Sequence, residues 1–163
     1  MKNIMHGYIR VNDVFNKLCG YLVALMMAVM TGLIFWQVIA RYVLGSSLAW
    51  SEELSRFLMI YVVLIGASLA LRNGRLLAVE VVPEMLNEKI RKWIVILTHL
   101  ISMIFYVILI VYGLDLAQKF SNQIAPGTGI SMFIIYLSLP IGGILFFLNS
   151  ITCIFEEFIG RKE

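Results

Sequence analysis

Charge is scarce in this sequence. Lys, Arg, Asp and Glu together make up 14% of its 163 residues, whereas 61% are hydrophobic; soluble domains average about 25% charged and ~45–50% apolar residues. That balance excludes a soluble globular fold, and a formal net charge of +3 gives no basic surface of the kind that binds nucleic acid. Proline occurs three times and cysteine twice. Two cysteines build no disulfide framework, and Cys19 and Cys153 read as small packing residues near helix ends. The nine methionines form no closely spaced ligand pattern. Nucleophile elbow, zinc-protease helix and phosphate-binding loop are all missing, as is any carboxylate pair within an apolar run. Apart from one histidine within an apolar run, no residue is a candidate for catalysis, metal ligation or substrate binding, so neither an enzyme nor a cofactor is expected.

What the chain has instead is long apolar sequence. Residues 18–40, 57–71, 93–114 and 130–155 carry few or no charges, and a helix needs ~20 apolar residues to cross the hydrocarbon core. The second run reaches that length if its helix begins near Ser51. The chain therefore reads as an all-α integral membrane protein, a single membrane domain over residues 1–163 with spans at about 18–40, 52–71, 93–115 and 130–155. The first run exceeds the ~7–15 residues of a signal h-region, and Arg41 and Tyr42 follow it rather than small residues, so it is expected to remain as an anchor. Ten of the thirteen basic residues lie before the first span, between the second and third, or after the fourth, leaving Arg41, Arg56 and Lys119 on the other side. The positive-inside rule then places both termini in the cytoplasm.

Finer features follow from residue type and spacing. Ala24, Ala28 and Gly32 recur every four residues in the first span, and Gly66 and Ala70 in the second. Small residues so placed let helix backbones approach closely in lipid, although they also occur as ordinary membrane-helix composition. Residues 83–92 read either as a short amphipathic interfacial helix, with Met85, Leu86, Ile90 and Trp93 sharing a face, or as a plain connection. Ala125-Pro126-Gly127-Thr128-Gly129 breaks the chain before the fourth span, and Pro140 with Gly142 and Gly143 predicts a bend within it.

No inverted duplication and no paired broken helices are visible, and His99 is the one titratable group besides tyrosines well inside a span. A carrier acting alone keeps acids or exposed carbonyls near mid-membrane, so this chain is not expected to hold a transport path by itself. A lone membrane histidine leaves open a small four-helix anchor of a redox complex, its second haem ligand supplied by another subunit. A histidine hydrogen-bonded between helices is the simpler reading.

The stretch RYVLGSSLAWSEELSRFLMIY, residues 41–61, concentrates Arg41, Glu52, Glu53 and Arg56 with Tyr42, Trp50 and Tyr61 between two spans. If the helix starts at Ser51, both acids sit in its first turn, favoured by the helix dipole. Glu52 and Arg56 are then i,i+4 neighbours, and Glu53 is three residues from Arg56. Arg41, leaving the first helix, could meet the same acids. Two readings follow: a polar lock fixing the hairpin of the first two helices, or a solvated helix start within an interfacial aromatic belt.

Together, QVIARYVLGSSLAWSEELSRF, GASLALRNGRLLAVEVV and the later APGTGI and YLSLPIGG resemble the small membrane subunit of TRAP (tripartite ATP-independent periplasmic) transporters, the DctQ-like family. The resemblance covers about residues 15–150. It departs from the family pattern at Leu76, where a histidine is usual, and at Ser131, where a second proline is frequent. It implies a non-catalytic scaffold subunit in the bacterial inner membrane, surrounded by lipid and paired as a heterodimer with a large membrane subunit that carries the sodium and substrate sites. It also implies a periplasmic binding protein that delivers an organic acid such as sialic acid or a C4-dicarboxylate. On this resemblance Ser46, Ser47, Lys119 and Gln123 are candidates for docking that protein.

Overall fold

The computed structural model describes residues 2–43, 45, 48–73 and 88–159. Its elements are α1 (Lys2–Val43), α2 (Ala49–Arg72), α3 (Glu88–Lys119), a short α4 (Met132–Tyr136) and α5 (Ser138–Ile159). Four helical stretches are long and apolar enough to cross a membrane: α1, α2, α3, and α4 with α5 taken together. Residues 83–87 lie outside the described residues, and α3 is already helical from Glu88.

α1 begins far upstream of residue 18, where the apolar run starts. Its 42 residues make a helix ~63 Å long at 1.5 Å per residue, about twice the ~30 Å hydrocarbon core. The added turns are inside-out. Asn12 and Asn16 are buried, while Val11, Val14, Phe15 and Leu18 point outward, as expected of a helix whose surroundings are lipid and whose polar groups pair within the protein.

The long helices stand in the order α1, α2, α5, α3. α5 packs along both α3 and α2 and meets α1 over its last turns, whereas α1 rests mainly on α2; no substantial contact joins α1 and α3 among the described residues. The core therefore lies around α5, with 39% of its span buried against 0% for α1. Small side chains make this possible, since Ser138, Pro140, Gly142, Gly143, Ser150 and Thr152 are all buried there. A β-carbon on Gly143 would come within 2.8 Å of Ile110 Cγ1, and one on Gly113 within 2.9 Å of Pro140 Cδ. These glycines set the spacing of α3 and α5, and Tyr106 stacks on Phe146 beside them at 5.0 Å between ring centroids.

Proline also explains why the last span is two helices. Pro140 has no N–H to give the carbonyl of Tyr136, and its ring crowds that carbonyl. α4 stops at Tyr136 and α5 starts at Ser138. Two carbonyls just before the break accept from side chains: Ser138 Oγ donates to Ile135 O at 2.6 Å, and the Tyr61 hydroxyl of α2 donates to Ile134 O. Ser131 caps α4, its Oγ accepting from Phe133 N at 3.2 Å.

The two ends of the row differ. One, the terminal end, carries the start of α1, the finish of α5 and Arg72. The other, the loop end, carries the α1–α2 connection and loop 120–131 between α3 and α4.

Candidate functional site: polar joints at the two ends of the row

At the loop end the acids and bases of residues 41–56 divide into separate contacts. Helix α2 begins at Ala49, two residues before Ser51, so Glu52 lies in its first turn. Glu52 takes Arg56 at 2.9 Å, with both side chains largely exposed, and also accepts from Gln37 Nε2 of α1 at 3.3 Å. Arg41 makes no ion pair with the described residues, and Tyr42 and Trp50 face outward. Ser46 and Ser47 lie outside the described residues. Lys119 pairs with Asp115 at 2.6 Å on the exposed end of α3.

Glu53 turns away from both arginines to a partner that local spacing does not reveal. Its Oε2 accepts from Gly127 N at 2.9 Å, Thr128 N at 2.6 Å and Thr128 Oγ1 at 3.0 Å. Charge-assisted bonds of this kind are the stronger class. Loop 120–131 lies flush on the first turn of α2, because a β-carbon at Gly127 would come within 2.8 Å of that oxygen and 3.2 Å of Ala49 O. The loop is also closed on itself. Ala125 N bonds Ile130 O at 2.9 Å, Gly129 N bonds Ala125 O at 2.9 Å and Met132 N bonds Gln123 O at 2.9 Å. Gly129 supplies the left-handed backbone this turn needs, with φ +72°.

At the terminal end lies a denser joint that the sequence reading missed. Asn149 of α5 is its centre. Its Oδ1 accepts from Asn12 Nδ2 at 2.8 Å and Asn16 Nδ2 at 2.7 Å, and its Nδ2 donates to Asn16 Oδ1 and Ser68 O, both at 2.9 Å. Asn12 also donates to Thr152 Oγ1 at 2.7 Å. Three helices are thus sewn together by uncharged amides. Nearer the helix ends comes a charged tier on the same three helices. Arg72 of α2 holds Glu156 of α5 through two bonds, at 2.8 and 2.6 Å, and Asp13 of α1 at 2.9 Å. The Arg72 side chain is only 13% exposed, its two acids 47% and 39%. Alongside, Arg91 approaches Glu157 at 4.0 Å and Lys92 lies over the Phe158 ring. The sequence did carry a signal: Asn12 and Asn16 at i,i+4, and an Asn-Ser-x-Thr run inside the last apolar segment.

The remaining candidates are placed as follows. Ala24, Ala28 and Gly32 lie on an outward face of α1, and a β-carbon on Gly32 or Gly66 would meet nothing within 4 Å. Gly142 faces α2, its would-be β-carbon 3.0 Å from Leu64 Cβ. His99 is buried with Nδ1 3.3 Å from Ser150 Oγ, an α3–α5 contact. Among the described residues no three His, Cys, Asp or Glu converge as metal ligands, and every buried side-chain nitrogen or oxygen has a protein partner. This chemistry ties helices together; it offers nothing with which to transform a substrate.

Comparison with known proteins agrees. Residues 30–160 match the family described as "Tripartite ATP-independent periplasmic transporters, DctQ component". A Haemophilus influenzae chain described as a TRAP transporter small permease protein is 32% identical over 86% of this chain and 85% of its own. The Vibrio cholerae sialic acid TRAP transporter small permease protein SiaQ is 28% identical over 90% of this chain and 82% of its own. The Haemophilus influenzae sialic acid TRAP transporter permease protein SiaT is 31% identical over 80% of this chain but only 21% of its own length. A non-catalytic, multi-pass membrane chain, matched over most of its length and with its buried polar side chains paired among the described residues, belongs to the DctQ component family of tripartite ATP-independent periplasmic transporters.

Proposed function

We propose that this chain is the scaffold half of a heterodimer with a large permease subunit in the bacterial inner membrane. The heterodimer takes up an organic acid by sodium symport, and a periplasmic substrate-binding protein delivers the acid. The observation that carries the scaffold role is that every buried polar side-chain atom among the described residues is taken up by another group of the chain, which leaves no site for an ion or a carboxylate. The relative SiaT supports a large partner, since this chain matches only 21% of its length. The names SiaQ and SiaT support a carboxylate such as sialic acid as cargo; a C4-dicarboxylate is equally compatible with this chain, which binds neither.

The terminal end, with the excess of basic residues, faces the cytoplasm, and the loop end faces the periplasm. The outward face of α1 with Ala24, Ala28 and Gly32, and the open Gly66, are surfaces for the large subunit. Trp50, Tyr42 and Arg41 lie at the outer membrane–water boundary, and Ser46, Ser47, Lys119 and Gln123 lie where the binding protein docks.

Proteoliposomes with an imposed sodium gradient and labelled sialic acid or succinate test the reading. The chain alone, even with the binding protein, should accumulate neither acid. The large subunit with this chain should do so in a sodium-dependent manner, and omission of this chain should abolish or severely reduce uptake. Accumulation by this chain alone would refute the scaffold role.

A further inference from the structure

Loop 120–131 owes its shape and its attitude to different bonds. Its shape comes from within, through the Ala125–Ile130, Gly129–Ala125 and Gln123–Met132 backbone bonds and a bond from Ser131 Oγ to Ser121 O at 2.9 Å. Its attitude over α2 depends on a side chain from outside the loop. Among the described residues, the hydrogen bonds from the loop tip to α2 are the three that Glu53 accepts. Removing that carboxylate would take away the tip's hydrogen bonds to α2 and leave the loop closed on itself, seated only by the buried Ala125 and the contact of Gly127 with Ala49.

The surface so held is not that of an idle turn. Ile124 is 67% exposed, and Gln123, Pro126 and Gly127 are exposed around it. They stand beyond the exposed Asp115–Lys119 pair that ends α3. A large apolar side chain ringed by polar groups, outside the membrane spans, has the make-up of a small protein-docking patch. We propose that Glu53 is a positioning residue: through its bonds to Gly127 and Thr128 it fixes loop 120–131 so that Gln123, Ile124 and Pro126 meet the soluble substrate-binding protein. This rests on the reading that such a protein docks at the loop end. Pre-setting the loop removes the ordering cost that docking would otherwise carry.

The test uses the complete pair of membrane subunits in lipid nanodiscs, with the substrate-binding protein encoded beside them as the probe, measured by surface plasmon resonance. Glu53→Ala should weaken binding ~10-fold or more, the scale of one lost ordering or charged-bond contribution, while the two membrane subunits still assemble at wild-type stoichiometry. Gly127→Ala, which pushes the loop off the carboxylate, should give a similar loss, and the double variant should be no worse than either alone. Ile124→Asp should abolish the contact with the clamp intact. Wild-type affinity for Glu53→Ala would overturn the role of Glu53, and so would failure of Glu53→Ala and Gly127→Ala to assemble with the large subunit. If the large subunit alone binds the probe as tightly as the pair does, the docking reading itself fails, which is a separate result.

Discussion

Replacing Asn149 by alanine removes four hydrogen bonds at once: two accepted from Asn12 and Asn16, and two donated to Asn16 and Ser68. Interhelical hydrogen bonds in membrane proteins average about 0.6 kcal/mol each, which gives ~2.4 kcal/mol for the set. The loss rises toward ~4 kcal/mol because the Asn16 amide oxygen is left buried without a donor. For a chain of this length that corresponds to a fall of ~5–10 °C in thermal midpoint. The assay is thermal and denaturant unfolding of the purified chain in mild detergent. Thr31→Ala serves as the control, since the Thr31 hydroxyl bonds only Met27 O of its own helix on an exposed face. Asn16→Ala and Asn149→Ala should combine to less than the sum of their separate effects, because they share bonds. A change of less than ~0.5 kcal/mol for Asn149→Ala, within the range of ordinary surface substitutions, would refute the idea that this joint holds α1 in place.

The charged tier is expected to outweigh the exposed pair at the other end. Arg72→Ala, stranding Asp13 and Glu156, should cost ~2–3 kcal/mol in the same unfolding assay, at or below the low end for buried pairs because the acids are partly hydrated, whereas Arg56→Ala should cost at most ~0.5–1 kcal/mol; equal effects would contradict the burial argument. Gly113→Leu should destabilise by ~1–3 kcal/mol through overpacking against Pro140, while Gly66→Ala should leave the isolated chain within ~0.5 kcal/mol of wild type. If Gly66 meets the large subunit, Gly66→Ala should still lower co-purification with it. In a variant without Cys19 and Cys153, a cysteine replacing Asn122 should react with an impermeant thiol reagent in intact cells, and one replacing Asn73 should not. Labelling at position 73 would reverse the proposed orientation.

The four spans were legible because a bilayer imposes one rule on every residue of a crossing helix, and composition alone reports compliance. The break near Pro140 was legible for a similar reason, since a missing N–H is a local fact. Neither joint was. Asn12, Asp13 and Asn16 precede the first long apolar run, and hydropathy assigns them to a solvated tail. The burial of Asn12 and Asn16 depends on Asn149, more than 130 residues away, and Asp13 is held by Arg72, 59 residues on; no periodicity reaches that far. Glu53 misled in the opposite direction. Arg56 stands three residues on, in reach by helical geometry, yet the carboxylate goes to backbone N–H groups of a glycine-threonine turn 74 and 75 residues along the chain. Local spacing says which partners are possible and is silent about better ones elsewhere. The small-residue stripe on α1 shows a third limit, because its pattern says that something can approach closely while the structure shows that nothing among the described residues does.

The dependence of the terminal joint on α5 bears on the order in which the chain is made. α1 and α2 leave the ribosome first, and bring with them only part of the joint: Arg72 can already reach Asp13, and Asn16 can reach Asn12 O. Asn149 and Glu156 arrive only with the final turns of the last helix. Until then the nascent protein holds a guanidinium with one of its two acids and a pair of asparagines without their central partner, a condition that is costly in lipid and exposes α1 to mispairing. Completion of α5 supplies the central amide and the second acid together. A chain stopped before residue 149 would therefore insert its early helices and keep the packing of α1 on α2, but Asn12 and Asn16 would lack the partner that draws that face of α1 inward.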